Sequence, residues 1–408
     1  MLVSTRGDLT PEISYMNDIA KLLLSIAFVG FLPVVPLTSG EATWKPTEAV
    51  SRKDAEERKD AKTAISGDQT SKIDAAVTAF RSRQSIPGIS VALVRDNQII
   101  FRRGYGLADL ENQVPATAVT VFRIASVAKP LAAVAAMQLA EKGKLDLDAP
   151  IQKYAPSFPT KAFPITTRQL LAHLSGVRGY RSGEGERTYH YESLTDALAV
   201  FKDDPLEHEP GTKYAYTTFG YTLLGVVIEG ASGMSYSEYL RERVLKPAGM
   251  LHTQVDDVYE IISNRARGYS PKVYGQFNGD WRNPALMDSS YKIPGGGLVS
   301  TAEDLARFAI AVQNGVLIKQ ETFEQMSKSQ RTRDGRETGY GYGWYVDRRE
   351  GREPDGSVWH GGVQQGFTAD LWILPRKHLA VVILANLEGG GRLGLGKLAN
   401  ELADIVLH

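Results

Sequence analysis

Between Ile73 and Phe80 the apolar residues Ile73, Ala76, Val77 and Phe80 recur at helical spacing, which predicts a helix with one buried face. The pattern then changes. Ile89 to Val94 and Ile99 to Tyr105 read as strands, joined by the turn-type segment Arg95-Asp96-Asn97-Gln98. Pro130 to Leu139 is alanine-rich and apolar almost all round, the mark of a helix buried on every side. Helical patterns, loops and Gly/Pro punctuation continue to about residue 330. Strands then return: Phe367 to Leu374 and Leu379 to Ala385 flank Pro375-Arg376-Lys377 as a hairpin. A final amphipathic helix carries Leu395, Leu398, Leu402 and Ile405.

Strands at both ends with helices between predict an α/β fold of the α+β type. Its antiparallel sheet is assembled from both chain ends and flanked by helices, and a large, mostly helical insertion folds against it. The domain is expected over residues 71–408, with the sheet part in 71–125 and 340–408 and the helical part in 126–339. A cleft between the two parts is a common place for an active site.

Residues 1–40 read as an export signal or a membrane anchor, with a buried helix as the third reading. The run Leu22 to Leu32 is shorter than a membrane span needs and has the length of a signal-peptide core. Only Lys21 supplies positive charge beside it, and Asp18 opposes it; a start at Met16 would leave a more ordinary leader. The expected location is therefore periplasmic or secreted, with membrane association if the segment is retained. Residues 41–70 form a polar spacer in which opposite charges such as Asp54 and Arg58 stand at helical spacing.

The 47 basic and 47 acidic residues cancel, which argues against a general nucleic-acid binder. Such neutrality, with the charged spacer, is compatible with a homo-oligomer. Cysteine is absent, so disulfides and thiolate zinc sites are excluded. The seven histidines are scattered without the spacing of a metal site, and neither metal nor cofactor is expected.

Candidate chemistry begins at Ser126-Val127-Ala128-Lys129. On a helix this spacing puts a hydroxyl and an amine on one face, one turn apart. A lysine in a dry pocket can lose its proton near neutral pH and serve as base to the serine. Pro130 is tolerated only near a helix start, so Ser126 belongs at the N-terminal end, where free N–H groups favour developing negative charge. A second match, Ser289-Ser290-Tyr291-Lys292, runs into Ile293-Pro294-Gly295-Gly296-Gly297, which reads as a loop unable to hold the pair one turn apart.

Two further segments converge on this picture. Tyr216, in a loop before an apolar helix, is either a proton donor or acceptor or a core tyrosine with a satisfied hydroxyl. In Trp359-His360-Gly361-Gly362-Val363 the paired glycines let backbone approach a substrate and turn an N–H toward an oxyanion; the other reading is a plain turn with a structural histidine. His173 reads as a structural hydrogen-bonder, and Gly88-Ile89-Ser90-Val91-Ala92 as part of a strand, not a nucleophile elbow.

Together these segments resemble the serine β-lactamase and penicillin-binding-protein-like family, specifically its class C and esterase branch. Supporting segments include Phe122-Arg123-Ile124-Ala125, Leu171-Ala172-His173-Leu174-Ser175-Gly176 and Gly295-Gly296-Gly297-Leu298-Val299-Ser300-Thr301. The resemblance implies a serine hydrolase that forms an acyl-serine on peptide, amide or ester bonds, with a small-molecule or peptide substrate. It implies Ser126, Lys129 and Tyr216 as catalytic residues and the N–H groups of Ser126 and Val363 as the oxyanion hole. A true β-lactamase or DD-peptidase, and a self-assembling scaffold, are the competing readings.

The sequence departs from the family at two places. Thr218 stands where the family has an asparagine, so a hydroxyl replaces a two-sided amide. His360 stands where the family has a lysine, followed by Gly361 and Gly362. A neutral imidazole there would weaken the grip on a substrate carboxylate by about 1–2 kcal/mol. Neutral esters, amides or internal peptide bonds are therefore the expected substrates.

Overall fold

The computed structural model describes residues 65–346 and 356–408, so the expectations for residues 1–40 and most of the spacer lie outside the described residues. The first helix, α1 (Gly67–Arg83), starts at a capping box made by Ser66 and Gln69 and buries Ile73, Ala76, Val77 and Phe80. Strand β1 (Gly88–Arg95) turns into β2 (Gln98–Asp109) through Asp96 and Asn97, both with positive φ as a two-residue hairpin turn requires. β3 (Val114–Pro115) follows at the edge of the sheet. From the other end of the chain come β7 (Tyr345–Val346), β8 (Val358–Gln364), β9 (Phe367–Leu374) and β10 (Leu379–Ala385). The order β3-β2-β1-β10-β9-β8-β7 joins the two ends along β1 and β10, in antiparallel register from Ile89 opposite Ala385 to Arg95 opposite Leu379.

The central strands are covered on both faces, which is why they are apolar at consecutive positions and not only at alternate ones. Val91, Leu93, Val381 and Ile383 pack beneath α1 and the C-terminal helix α6 (Leu395–Leu407). In α6 it is Val406 that is buried where Ile405 was expected, Ile405 being only partly covered. Ala92, Val94, Val382 and Leu384 face the helical part. One helix inside the segment read as the insertion, α5 (Ala302–Gln313), packs directly on β1, β2 and β10. A second sheet, β5-β6-β4 from Gln254–Val255, Leu298–Ser300 and Phe122–Arg123, also crosses between the two parts.

At the centre of the helical part lies α2 (Ala128–Glu141), buried from Ala128 to Leu139. Beside it run α3 (Thr218–Ser232) and the single turn α4 (Ile293–Gly296). This turn corrects the loop expected after Ser289: Ser290–Lys292 form a 3₁₀ turn that leads straight into α4.

Candidate active site

Ser126 sits in a 3₁₀ turn, Ala125–Val127, that opens α2. Ala125 has φ +47°, a strained value for a residue with a side chain, and it sets the angle at which Ser126 leaves the strand before it. One turn on, Lys129 is fully buried, with Nζ 3.0 Å from Ser126 Oγ, 2.6 Å from the Gly295 carbonyl oxygen and 3.4 Å from Thr218 Oγ1. No carboxylate is among these partners. Burial holds the amine well below the usual lysine range, and the nearby Lys292 cation lowers it further. A neutral amine has two N–H groups and one lone pair. The Gly295 carbonyl can only accept, so one N–H goes there, which leaves one N–H and the lone pair for the Ser126 and Thr218 hydroxyls.

Tyr216 lies over this pair, its ring centroid 4.8 Å from Lys129 Nζ. Burial raises its phenol well above the usual range, the Tyr345 ring adds to this, and a hydrogen bond with the Ser126 side chain opposes it. The loop carrying Tyr216 is held by His173, whose Nδ1 accepts from the Thr217 N–H at 3.2 Å and whose ring lies 4.3 Å from that of Tyr216. His173 is thus a structural support, as its loop position suggested.

β8 runs alongside the Ser126 turn, and Gly362 makes that approach possible. A Cβ at Gly362 would stand 2.3 Å from the Ile124 carbonyl oxygen and 3.0 Å from the Ser126 nitrogen, closer than a side chain tolerates. Val363, expected to lend the second oxyanion N–H, follows it. A cavity of about 470 Å³ is lined by Ser126, Tyr216, His360, Gly361, Gly362 and Val363. A roomier groove of about 640 Å³ beside Gln98, Pro247 and Arg307 brings no such nucleophile and base together.

Two expected residues take a different part. Thr218 does not line the cavity; its hydroxyl stands behind Lys129 at a distance too long for a strong hydrogen bond. His360 lines it but is buried and engaged by the protein. Its Nδ1 donates to the Gly361 carbonyl at 2.7 Å, and its Nε2 accepts from the Tyr340 hydroxyl at 3.1 Å. Burial and the neighbouring Lys129 push its pKa down to about 3, so the imidazole is neutral. Tyr340 and Tyr345 were missed at the sequence level; the run Tyr340-Gly341-Tyr342-Gly343-Trp344-Tyr345, with aromatic rings set between glycines, was the available signal.

The second Ser-x-x-Lys pair points elsewhere. Ser289 Oγ donates to Asp256 Oδ2 at 3.0 Å, and Asp256 also pairs with Arg123 and Arg265. Ser90 is buried within β1, its hydroxyl without a partner among the described residues. Among the described residues no group of three or more His, Asp or Glu side chains could hold a metal, and no helix is long and apolar enough to cross a membrane.

A two-part α/β domain with a buried lysine behind a helix-start serine defines a class, and the comparisons agree with it. Residues 73–403 match the family described as Beta-lactamase, and the chain belongs to that family. It is 33% identical over 298 residues to the human serine beta-lactamase-like protein LACTB, mitochondrial, which covers 56% of this chain and 54% of that protein. Protein flp of Staphylococcus aureus is 27% identical over 338 residues, covering 80% of this chain and 65% of flp. The chain thus spans about half the length of the mitochondrial relatives it matches. Among solved structures, D-amino acid amidase from Ochrobactrum anthropi SV3 aligns with a TM-score of 0.71 at 25% identity, covering 84% of this chain and 99% of that one. An octameric penicillin-binding protein homologue from Pyrococcus abyssi aligns with a TM-score of 0.68 at 26% identity, covering 83% and 77%.

Proposed function

We propose that this protein is a serine hydrolase in which Ser126 attacks the carbonyl carbon of an ester or amide and carries the acyl group. The observation that carries this reading is the buried Lys129 amine, with no carboxylate partner among the described residues, 3.0 Å from the Ser126 hydroxyl at the base of an open cavity. Lys129 takes the Ser126 proton as the C–O bond forms; burial lowers its proton affinity, which leaves the amine unprotonated and able to accept. The same burial keeps the Tyr216 phenol protonated, which suits it to pass a proton to the leaving group while Lys129 resupplies it. The N–H groups of Ser126 and Val363 receive the oxyanion. Water then attacks the acyl-serine and gives its proton to Lys129, which passes it to Ser126 Oγ as the acyl C–O bond breaks and the acid leaves.

Neutral esters and amides, internal peptide bonds included, are the proposed substrates. The neutral His360, already bonded to Tyr340 and Gly361, offers no charge to a substrate carboxylate. The likeness to a D-amino acid amidase supports including D-amino acid amides among them. The test is a panel of p-nitrophenyl esters, nitrocefin, D-amino acid amides and a peptide library, each run against Ser126→Ala. Turnover of neutral esters or amides by the parent alone is expected. A preference for nitrocefin would favour a β-lactamase instead, and equal rates in the variant would overturn the proposal. Within the same panel, His360→Lys should raise nitrocefin turnover relative to a neutral ester by roughly ten-fold; no gain would contradict the account of carboxylate rejection.

We also propose self-association and export. A homologue described as octameric supports the first, and light scattering that returns a monomer would overturn it. The second rests on the apolar run Leu22 to Leu32. A mature protein still carrying that run, found in the cytoplasm, would contradict it.

A further inference from the structure

We propose that the cavity beside Ser126 contains a cation subsite, in which the Asp370 carboxylate, walled by Trp359 and Trp372, receives an ammonium or guanidinium group carried by the substrate. The inference rests on the hydrolytic reading of Ser126 and adds a substrate class to it. Asp370 lies in mid-strand on β9, directly opposite Gly361 of β8. It is only 6% exposed, its Oδ1 has no hydrogen-bond partner among the described residues, and it lines the same cavity as Ser126. A buried carboxylate with one oxygen unpaired is unfavourable, and a ligand of opposite charge offsets that cost.

The two glycines of β8 face opposite ways, one toward this carboxylate and the other toward the nucleophile. At Gly362 the strand presses on the Ser126 amide. At Gly361 the missing side chain leaves the carboxylate uncovered, since a Cβ there would stand 3.5 Å from Asp370 Oδ1. Between the two ends runs a stack of rings. Tyr216 and Tyr345 have centroids 6.3 Å apart and are 9° from parallel; Tyr345 and Trp359 are at 4.6 Å and 20°; Trp359 and Trp372 are at 5.2 Å and 9°. A substrate whose apolar body lies along these rings would bring a cation to both a carboxylate and indole faces, which attract it together.

Other charged groups leave that role to Asp370. Lys397, on α6, is exposed and also borders the cavity, while His360 is neutral and β10 places Ile383 beside Asp370. The phenols of Tyr216 and Tyr345 stay protonated. Burial pushes the Asp370 carboxyl up to about 7, against the Trp372 indole, which holds it down. The subsite is therefore charged in mildly alkaline solution and fades as the pH falls through that value.

A chain-length series of ω-aminoacyl p-nitrophenyl esters, each paired with its uncharged acyl twin, tests the proposal on the full-length protein. Above the Asp370 value the ratio of kcat/KM, cationic to neutral, should exceed about ten at the best length. It should fall toward one in Asp370→Asn, and in the parent as the pH drops below that value. Should the variant fail to fold, the parent still decides through protection of Ser126 from a fluorophosphonate: phenethylammonium should protect and phenethyl alcohol should not. A ratio near one in the parent, equal protection by both compounds, or a ratio unchanged in a folded Asp370→Asn would overturn the subsite. Loss of all Ser126 labelling would instead remove the hydrolytic reading on which it rests.

Discussion

Two segments of this chain, Ser126 to Lys129 and Ser289 to Lys292, share the same spacing, and both lysines are buried. They differ in what the serine meets. Ser126 stands at the strained start of α2 with an amine of lowered proton affinity 3.0 Å away and a cavity before it. Ser289 donates a hydrogen bond to Asp256, a carboxylate already held by two arginines. One hydroxyl is left free to react and the other is fixed as a strut. The lesson is that the motif supplies only candidates, and the backbone around each one assigns the role. The two are also coupled, because the Lys292 charge lowers the proton affinity of Lys129.

The contrast breaks most visibly at the serines. Ser126→Ala should lower ester hydrolysis by roughly a thousand-fold, whereas Ser289→Ala should stay within a few-fold and lower only the melting temperature. Comparable losses in both variants would erase the distinction. A smaller effect, roughly a hundred-fold in kcat, is expected from Gly362→Ala, which forces β8 away from the Ser126 turn. The same substitution at Gly361, where no backbone stands in the way, should cost far less; equal losses at the two glycines would contradict the close approach described. The finest test is Lys292→Met. Removing that cation raises the proton affinity of Lys129, so the rising limb of kcat/KM moves to higher pH, with a loss of a few-fold near neutrality. A limb that stays put or moves to lower pH would show that the two lysines do not interact.

Much of the fold was legible because the pattern was strong. The face Ile73, Ala76, Val77 and Phe80, the Asp96-Asn97 turn and the strands on either side of Pro375 all lie where local periodicity put them. Ser126 and Lys129 could be read for a similar reason, since they open an apolar helix that announces itself, whereas Tyr216 was assigned a catalytic part only through the family resemblance. What stayed hidden depends on register between distant strands. Nothing local says that Gly361 faces Asp370 or that Trp359 faces Trp372, yet those two pairs shape the far end of the cavity. The helical turn after Ser290 was also masked, because Pro294 and three glycines read as a loop until tertiary packing fixes them. His360 was placed at the site, but only its burial beside Lys129 explains why it is neutral there.

The most direct test is to trap the acyl-enzyme. The parent is mixed with a p-nitrophenyl ester, quenched in acid, digested and sequenced by mass spectrometry. The acyl mass is expected on Ser126, retained there in Ser289→Ala and absent from Ser126→Ala. An acyl group on any other residue, or an ester cleaved with no acylated peptide in a trap shown to capture a known acyl-serine, would contradict the account.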